Sequence, residues 1–223
     1  MRRLLVLALL LRAGAARAEP LWLDAKTVFP GGDGADASTL DVPLASRIEA
    51  FLKGSRPHRF QKRMVIHKAA RRLDVFADDT LLKSYLINLG PTPEGAKEHQ
   101  GDGRTPEGDL FICSVNRVSQ FTRFLALAYP APADAVRGVK SQLLTPAQAR
   151  DVEQSFRSRK RCPPQETKLG GQVGIHGKGG WQRRGDRFAV EDWTLGCVGL
   201  RDADILELFN GYAEVGLPVH IQP

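Results

Sequence analysis

From Met64 onward, short apolar segments alternate with turn-forming segments, and this pattern limits most strongly the folds that the chain can adopt. Apolar stretches of strand length begin at Met64, Leu73, Leu81, Leu110 and Phe124. Segments rich in Gly, Pro and Asp separate them, and such segments favour turns. The sequence therefore predicts a domain that is mainly β with flanking helices, an α+β fold.

The rest of the chain adds three helices and two further strands to this prediction. Capping residues and flanking Pro or Gly predict helices over Leu44–Lys53, Thr145–Arg159 and Asp202–Phe209, with Asp202 as the cap of the last one. Apolar segments predict strands over Gln172–His176 and Pro218–Ile221. The segment that follows His176 is rich in Gly and Arg, and we expect it to be a loop.

The N-terminus has the three parts of a secretory signal peptide. Arg2 and Arg3 precede the apolar run Leu4–Leu11, and small residues surround Arg17 up to Ala18. Eight apolar residues are too few to span a bilayer, which takes roughly 20. We therefore predict a signal peptide over 1–18, an extension with a short helix over 19–62 and a main domain over 63–223. The protein would be secreted to the periplasm or cell envelope, without a stable membrane anchor.

The positive charge of the chain is concentrated in that predicted signal peptide. The full sequence has 32 basic and 25 acidic residues and a net charge of +7. Four of the arginines lie in residues 1–18, so the mature chain would have a net charge of +3. This balance does not require a polyanionic partner, and the sequence has no signature of a nucleic-acid-binding motif. We expect no nucleic-acid partner.

The chain has three cysteines, an odd number for a protein in an oxidising compartment. Cys113 lies in an apolar strand, which argues against easy pairing, although a disulfide between Cys113 and Cys162 remains an alternative. Cys197 is flanked by small residues that would let a substrate backbone approach. No Cys-x-x-Cys or His-x-x-x-His spacing occurs, so we expect neither a metal nor another cofactor.

A thiol nucleophile requires a base, and His176 is the candidate among five histidines. It ends a predicted strand and is followed by Gly177 and a Gly-rich segment. Sequence spacing does not establish contact with Cys197. A loop histidine without a chemical role is therefore the alternative.

These residues resemble a known family. His176-Gly177, followed by Thr194-Leu195-Gly196-Cys197, is similar to the His…[Ser/Thr]-His-Gly-Cys signature of the L,D-transpeptidase catalytic domain (YkuD) family. The segments Gly101–Gly108 and Leu127–Pro130 resemble its Thr-Pro-x-Gly and Tyr-Pro stretches. Leu195 replaces the second signature histidine, and Gly199 replaces a polar residue. These departures resemble the YafK-like branch, in which Thr-x-Gly-Cys is usual.

The resemblance implies a β-sandwich and a thioester mechanism on peptidoglycan stem peptides. Cys197 would attack the carbonyl at stem position three, and His176 would serve as base and then as acid. The carbonyl of Gly177 would orient His176. Backbone N–H groups of Cys197 and Gly196 would hold the oxyanion, with Gly196 leaving room for the approaching carbonyl.

Other residues near the motif have both a binding and a structural interpretation. Thr194 could hydrogen-bond in the site or simply shape a turn. Trp193 and Trp181 could line a groove or pack in the core. Arg201 could meet a substrate carboxylate. Asp192 could order the cysteine loop, although the sequence does not say how.

Three functions follow from the resemblance. The first is an L,D-transpeptidase that joins two stem peptides, or a stem peptide and a wall-linked protein, with roles in cell-wall biogenesis and cell shape. The second is a hydrolase on the same scaffold, which would trim stem peptides or release wall-linked protein. The third is a non-catalytic module that binds peptidoglycan, for which Leu195 and Gly199 are the only support.

Overall fold

The structure is a computed structural model that describes residues 20–29, 40–54 and 60–223. The predicted signal peptide, residues 1–18, lies outside these ranges. No helix in the described part of the chain is long and apolar enough to cross a membrane.

Within the described ranges the chain forms eleven strands and five helices. The strands are β1 (Leu21–Asp24), β2 (Lys62–His67), β3 (Arg72–Ala77), β4 (Thr80–Leu86), β5 (Gly108–Ser119), β6 (Thr122–Leu127), β7 (Gly174–His176), β8 (Trp181–Arg184), β9 (Arg187–Val190), β10 (Val198–Gly199) and β11 (Pro218–Gln222). The helices are α1 (Ala25–Val28), α2 (Leu44–Gly54), α3 (Pro132–Lys140), α4 (Pro146–Ser158) and α5 (Asp202–Gly211). The fold is mainly β with flanking helices, and this prediction is confirmed.

The main sheet folds over on itself as a sandwich. Its eight strands follow the order β10-β7-β6-β5-β11-β2-β3-β4. The long strand β5 belongs to both halves, because residues 108–111 pair with β11 and residues from Ile112 onward pair with β6. An antiparallel bridge between Asn88 and Gly199 joins the two ends of this order, with N–H···O distances of 2.9 and 2.8 Å. The bridge places the end of β4 beside the strand that follows Cys197.

Alternating residues of the sheet strands form the core between the two halves. In β2, for example, Met64 and Ile66 are buried, and Val219 and Ile221 of the neighbouring β11 are buried beside them. Helix α5 closes one end of this core with a buried face that includes Leu208. Burial of such a continuous apolar surface is the main stabilising contribution to the fold.

The segment rich in Gly and Arg after His176 is not a loop, so this prediction is wrong. Strands β8 and β9 form a hairpin there, and the N-terminal strand β1 adds to its edge. Phe188 and Val190 of β9 are buried in a second apolar cluster with Leu23 and Phe29. Arg183 and Arg184 of β8 remain exposed. Exposed charged residues carry no signal of burial, so the apolar pattern did not predict this strand.

The hairpin of β5 and β6 extends well beyond the apolar segment that predicted it. Residues 114–119 of β5 are mostly exposed, and Val118 at 91% exposure has almost no packing. Cross-strand hydrogen bonds to β6 hold this arm, and hydrophobic burial contributes little to it. A prediction from burial patterns therefore ends β5 too early.

Cys113 and Cys162 form a disulfide, so the sequence argument against their pairing is wrong. Cys113 is buried, but its side chain points away from the main core because side chains alternate along β5. It shares a smaller cluster with Phe111 and Ala128, against which Cys162 packs. The chain reaches this face after α4 ends at Ser158. Cys197 is the one free cysteine of the described ranges.

Candidate active site

The end of β7 and the loop before β10 meet at a pocket of about 520 Å³. The pocket is lined mainly by aromatic, glycine and amide-bearing residues, together with the free cysteine. The lining residues are Lys97, Gln100, Phe121, Phe124, Ala126, Cys162, Gln165, Gly171, Gln172, Val173, His176, Trp193, Thr194, Leu195, Gly196 and Cys197. The tertiary structure thus brings His176 and Cys197 to one cavity.

Aromatic side chains enclose the His176 ring, which is only 2% exposed. Phe121 stacks on it with a centroid distance of 4.4 Å, and Phe124 lies parallel at 5.9 Å. Trp193 contacts it edge to face at 5.6 Å. Packing against these three rings holds the plane of the imidazole in one orientation.

The carbonyl of Gly177 accepts a hydrogen bond from Nδ1 of His176 at 2.8 Å. A carbonyl can only accept, so the proton of the neutral ring resides on Nδ1 and Nε2 carries the free electron pair. Burial lowers the pKa of His176, and the hydrogen bond to Gly177 opposes this only in part. At neutral pH the ring is therefore an uncharged base.

Asp202 holds the turn that contains Gly177, and it is not the cap of α5. The residue at the N-cap position is Arg201, whose side chain makes no capping hydrogen bond, so the predicted cap is wrong. The Asp202 carboxylate instead accepts hydrogen bonds from the Thr122 hydroxyl at 2.6 Å and from the N–H of Lys178 at 2.8 Å. These bonds tie the turn after His176 to β6 and α5.

Cys197 is partly exposed, and its thiol donates to the carbonyl of Gln172 at 3.6 Å. Burial raises the pKa of the thiol, while a backbone hydrogen bond from Gly174 and the charge of Lys97 oppose the increase. Among the described residues the thiol makes no hydrogen bond to His176. The resting pair is thus a neutral thiol and a neutral imidazole in the same pocket.

Thr194 shapes the turn that presents Cys197. Its buried hydroxyl donates to the carbonyl of Cys197 at 2.7 Å and accepts from the N–H of Gly196 at 3.2 Å. The turn interpretation of Thr194 therefore describes its contacts in this structure. The same bond occupies the Gly196 N–H that was expected to face an oxyanion, whereas the N–H of Cys197 has no acceptor within the described part of the chain.

Gly196 is required by a neighbouring backbone segment. Its φ of +124° is a conformation that side chains disfavour, and a Cβ atom would lie 2.5 Å from the carbonyl oxygen of Arg104. The predicted reason, space for a substrate carbonyl, therefore misses the main contact. The segment after Gly103, part of the Thr-Pro-x-Gly resemblance, passes directly beneath the cysteine loop.

Asp192 connects the start of the cysteine loop to the sheet, which answers a question that the sequence left open. Its carboxylate forms a bidentate ion pair with the buried guanidinium of Arg71, with a shortest N···O distance of 2.6 Å. It also accepts a hydrogen bond from the N–H of Leu89 at 2.7 Å. The N–H of Thr194 then donates to the carbonyl of Leu89 at 3.0 Å. The loop is anchored at both of these points.

The remaining predicted site residues separate into two groups. Trp193 lines the pocket and is 41% exposed. Trp181 is not among the residues that line this pocket, and it packs on Phe188 in the second apolar cluster. Arg201 does not line the pocket either, because its guanidinium pairs with Asp204 at 2.8 Å and stacks 4.4 Å above Trp181. The structure does not support Arg201 as a contact in this pocket.

Lys97 lines the pocket, although nothing in the sequence predicted it as a site residue. Its side chain is 3% exposed and forms an ion pair with Asp102 at 2.7 Å. The residue lies in a polar loop with no motif around it, so no sequence signal singled it out. Only the folding of that loop against Gly196 places its charge beside the cysteine.

Fold and pocket together define a β-sandwich domain in which a free cysteine and a histidine surrounded by aromatic rings line one cavity. The family model of the L,D-transpeptidase catalytic domain, YkuD, matches residues 61–221, which is more than half of the chain. The chain therefore belongs to this family, and the predicted family is confirmed. The YafK-like branch stays a prediction.

Several solved structures are similar to the chain. Pgp2 of Campylobacter jejuni, described as a helical cell shape determining protein, has 20% identity and a TM-score of 0.48, over 73% of this chain and 48% of that one. An L,D-transpeptidase of Xylanimonas cellulosilytica has 13% identity and a TM-score of 0.41, over 89% of this chain and 90% of that one. An L,D-transpeptidase of Enterococcus faecium has 13% identity and a TM-score of 0.40, over 73% of this chain and 50% of that one.

The chain spans about half the length of the Campylobacter and Enterococcus proteins that it matches. A search of the curated proteins found no match.

Proposed function

We propose that this protein is a cysteine-dependent L,D-transpeptidase of the cell envelope, secreted through residues 1–18, that acts on peptidoglycan stem peptides. The observation that carries the proposal is the convergence of Cys197 and His176 on one pocket in a chain of this family. The tautomer of His176, with Nε2 as the basic nitrogen, is the one a general base requires.

In the first step Cys197 forms a thioester with the acyl donor. Nε2 of His176 takes the thiol proton, and the sulfur attacks the scissile carbonyl to form an S–C bond. The C–N bond then breaks, and the same proton passes to the leaving amine. Because burial raises the pKa of the thiol, transfer to His176 has to accompany the attack instead of preceding it as a stable ion pair.

In the second step an amine of another stem peptide, or of a wall-linked protein, attacks the thioester. It loses a proton to His176, the S–C bond breaks, and the thiol recovers its proton. Water in the place of the amine gives hydrolysis. The position of the acceptor would be set by the exposed rim of the pocket, where Leu195 is 86% exposed and Trp193 41%.

The oxyanion of each step would be held by the N–H of Cys197, which has no acceptor within the described part of the chain. The N–H of Gly196 can join it only if its bond to Thr194 lengthens, since that bond is 3.2 Å in the resting structure. One free donor and one weakly engaged donor support an oxyanion hole that tightens as charge develops.

The test is mass spectrometry of muropeptides incubated with the mature protein and with Cys197→Ala. Transfer predicts new cross-linked products, with the variant reduced by about 10⁴-fold or more. Shortened stems without cross-links would assign the hydrolase instead. Unchanged muropeptides, together with no mass increase on Cys197 after treatment with an acylating probe, would leave only the wall-binding module.

A further inference from the structure

A buried ammonium group faces the pocket with part of its hydrogen-bonding capacity unused. Nζ of Lys97 donates to Asp102 at 2.7 Å and to the carbonyl of His99 at 3.1 Å. An ammonium group has three N–H donors, so one remains. The group is 3% exposed, and burial of a charge is costly unless the charge is fully paired.

The Asp102 carboxylate does not require Lys97 as a hydrogen-bond donor. Its carboxylate also accepts hydrogen bonds from three backbone N–H groups, those of Glu98 at 2.7 Å, His99 at 3.1 Å and Arg104 at 3.0 Å. Burial raises the pKa of Asp102, but these bonds and the one from Lys97 outweigh it and lower the pKa to about 2. The loop backbone alone would satisfy the carboxylate.

The ammonium group lies close to the loop that carries the cysteine. A Cβ atom on Gly196 would lie 3.8 Å from Nζ, which is ordinary van der Waals contact. Gly196 directly precedes Cys197, so the charge lies beside the residue that presents the nucleophile. Its free donor is therefore available to a group bound next to the sulfur.

The rest of the pocket offers an anion no other ionic partner. Among the described lining residues, Lys97 is the one with a permanent charge, and His176 is neutral because burial lowers its pKa. The side-chain amides of Gln100 and Gln172 also line the pocket and make no hydrogen bond to other described residues. An ammonium group with two free amides is a suitable set of donors for a carboxylate.

We propose that Lys97 is a specificity-determining residue of this pocket, which binds the terminal carboxylate of the peptide acyl donor. The inference rests on the proposed function of Cys197. In a peptide the carboxylate carbon of the last residue lies only about 3–4 Å from the preceding carbonyl carbon. A carboxylate on Lys97 therefore places that carbonyl at the neighbouring Cys197, and an internal bond of a longer chain lacks this anchor.

The experiment compares two synthetic stem tetrapeptides, one with a free C-terminal carboxylate and one with a C-terminal amide. For the mature protein we expect kcat/KM to be about 10- to 100-fold higher for the acid, the value of a hydrogen bond to a charged group. In Lys97→Met this ratio should fall to near one, through loss of activity on the acid. Lys168→Met, which removes an exposed lysine nearby, should keep the ratio.

A second readout separates this inference from the proposed function. Binding of the same two peptides to Cys197→Ala, measured by calorimetry, should show the same preference for the acid, and Lys97→Met in that background should abolish it. If the peptides bind with this preference but wild type forms no thioester, the proposed function fails while the carboxylate site stands. If wild type turns over acid and amide equally, the inference alone is overturned.

Two other results would also overturn the inference. An equal loss of activity on acid and amide in Lys97→Met would mean that the lysine only tunes the thiol of Cys197. A loss of folding in Lys97→Met, seen by thermal unfolding, moves the test to Lys97→Arg, which keeps the positive charge but carries it on a guanidinium group. That variant must retain a preference for the acid, and equal rates would contradict the proposal.

Discussion

The two walls of the pocket are built in different ways. The cysteine wall consists of His176 and Trp193–Cys197, and it is part of the sheet through β7, β10 and the bridge to Asn88. The disulfide wall consists of Cys162, Gln165 and Gly171–Val173, a segment without regular structure before β7. The first wall carries the two residues proposed for the chemistry, and the second wall faces them.

The contacts that hold each wall differ accordingly. Ladder hydrogen bonds and the ion pair of Asp192 with Arg71 fix the cysteine wall. The disulfide to Cys113 and a few side-chain bonds, such as that from Gln165 to the carbonyl of Tyr129 at 3.1 Å, fix the other. We infer that the cysteine wall sets the rate of the chemistry and the disulfide wall sets the fit of the substrate.

The largest effect should come from His176→Asn on the cysteine wall. Loss of the base should lower kcat by about 10²- to 10⁴-fold with little change in KM, because general acid–base catalysis contributes about that much. Steady-state kinetics on a stem peptide measure both constants. His220→Asn is the control, since that histidine pairs with Asp109 near the chain end and does not line the pocket. A loss confined to KM would contradict the assignment.

Gly196→Ala should be the next most damaging change. The added Cβ would contact the Arg104 carbonyl at 2.5 Å from a φ of +124°. We expect a loss of about 3–5 kcal/mol in the free energy of unfolding, from backbone strain and overpacking combined. Urea unfolding measures it, with Gly180→Ala as control because a Cβ there meets nothing within 4 Å. Equal stability of the two variants would disprove the packing argument.

Removal of the disulfide tests the other wall. The double variant Cys113→Ser, Cys162→Ser should lose about 2–4 kcal/mol in the free energy of unfolding, because the bond closes a loop between residues 49 apart. If the disulfide wall sets fit, KM for the stem peptide should rise. The rate at which a small alkylating agent modifies Cys197 should stay the same. A drop in that rate would show that the two walls are not independent.

The pH dependence should give the smallest effect. His176 acts as a base only when neutral, and burial lowers its pKa below the ordinary value of 6.5. The acid limb of kcat/KM for wild type should therefore have its midpoint below pH 6.5, with activity lost as pH falls through it. A pH–rate profile with a small, uncharged acyl donor measures this midpoint. A midpoint above pH 6.5 would indicate that burial among Phe121, Phe124 and Trp193 does not lower the pKa of His176.

Much of the fold could be predicted from the sequence because burial leaves a periodic signal. The helix near Leu44 and the strands that begin near Met64 and Leu73 occur where the apolar pattern predicts them. The pattern fails where structure is stabilised by pairing alone. The exposed arm of β5 and the arginine-bearing strand β8 are such cases, and their polar residues carry no signal of burial.

The candidate site was predictable only as far as its residues have unusual chemistry. An odd cysteine and a histidine beside glycine stand out in a sequence, so Cys197 and His176 were proposed without a structure. Arg201 also stood out, by its position after the motif, yet its partners are Asp204 and Trp181. Closeness to Cys197 in the sequence did not predict contact with the pocket for Arg201, because helix α5 begins at the next residue.

The sequence by itself determined the family, the class of fold and the two residues proposed for the chemistry, because these depend on residue type and order. Only the tertiary structure decided that Cys113 pairs with Cys162, that Gly196 makes room for Arg104, and that Lys97 enters the pocket. Each of these depends on contacts between segments far apart in the chain. Such contacts follow from how the sheet folds over on itself, and no local pattern records them.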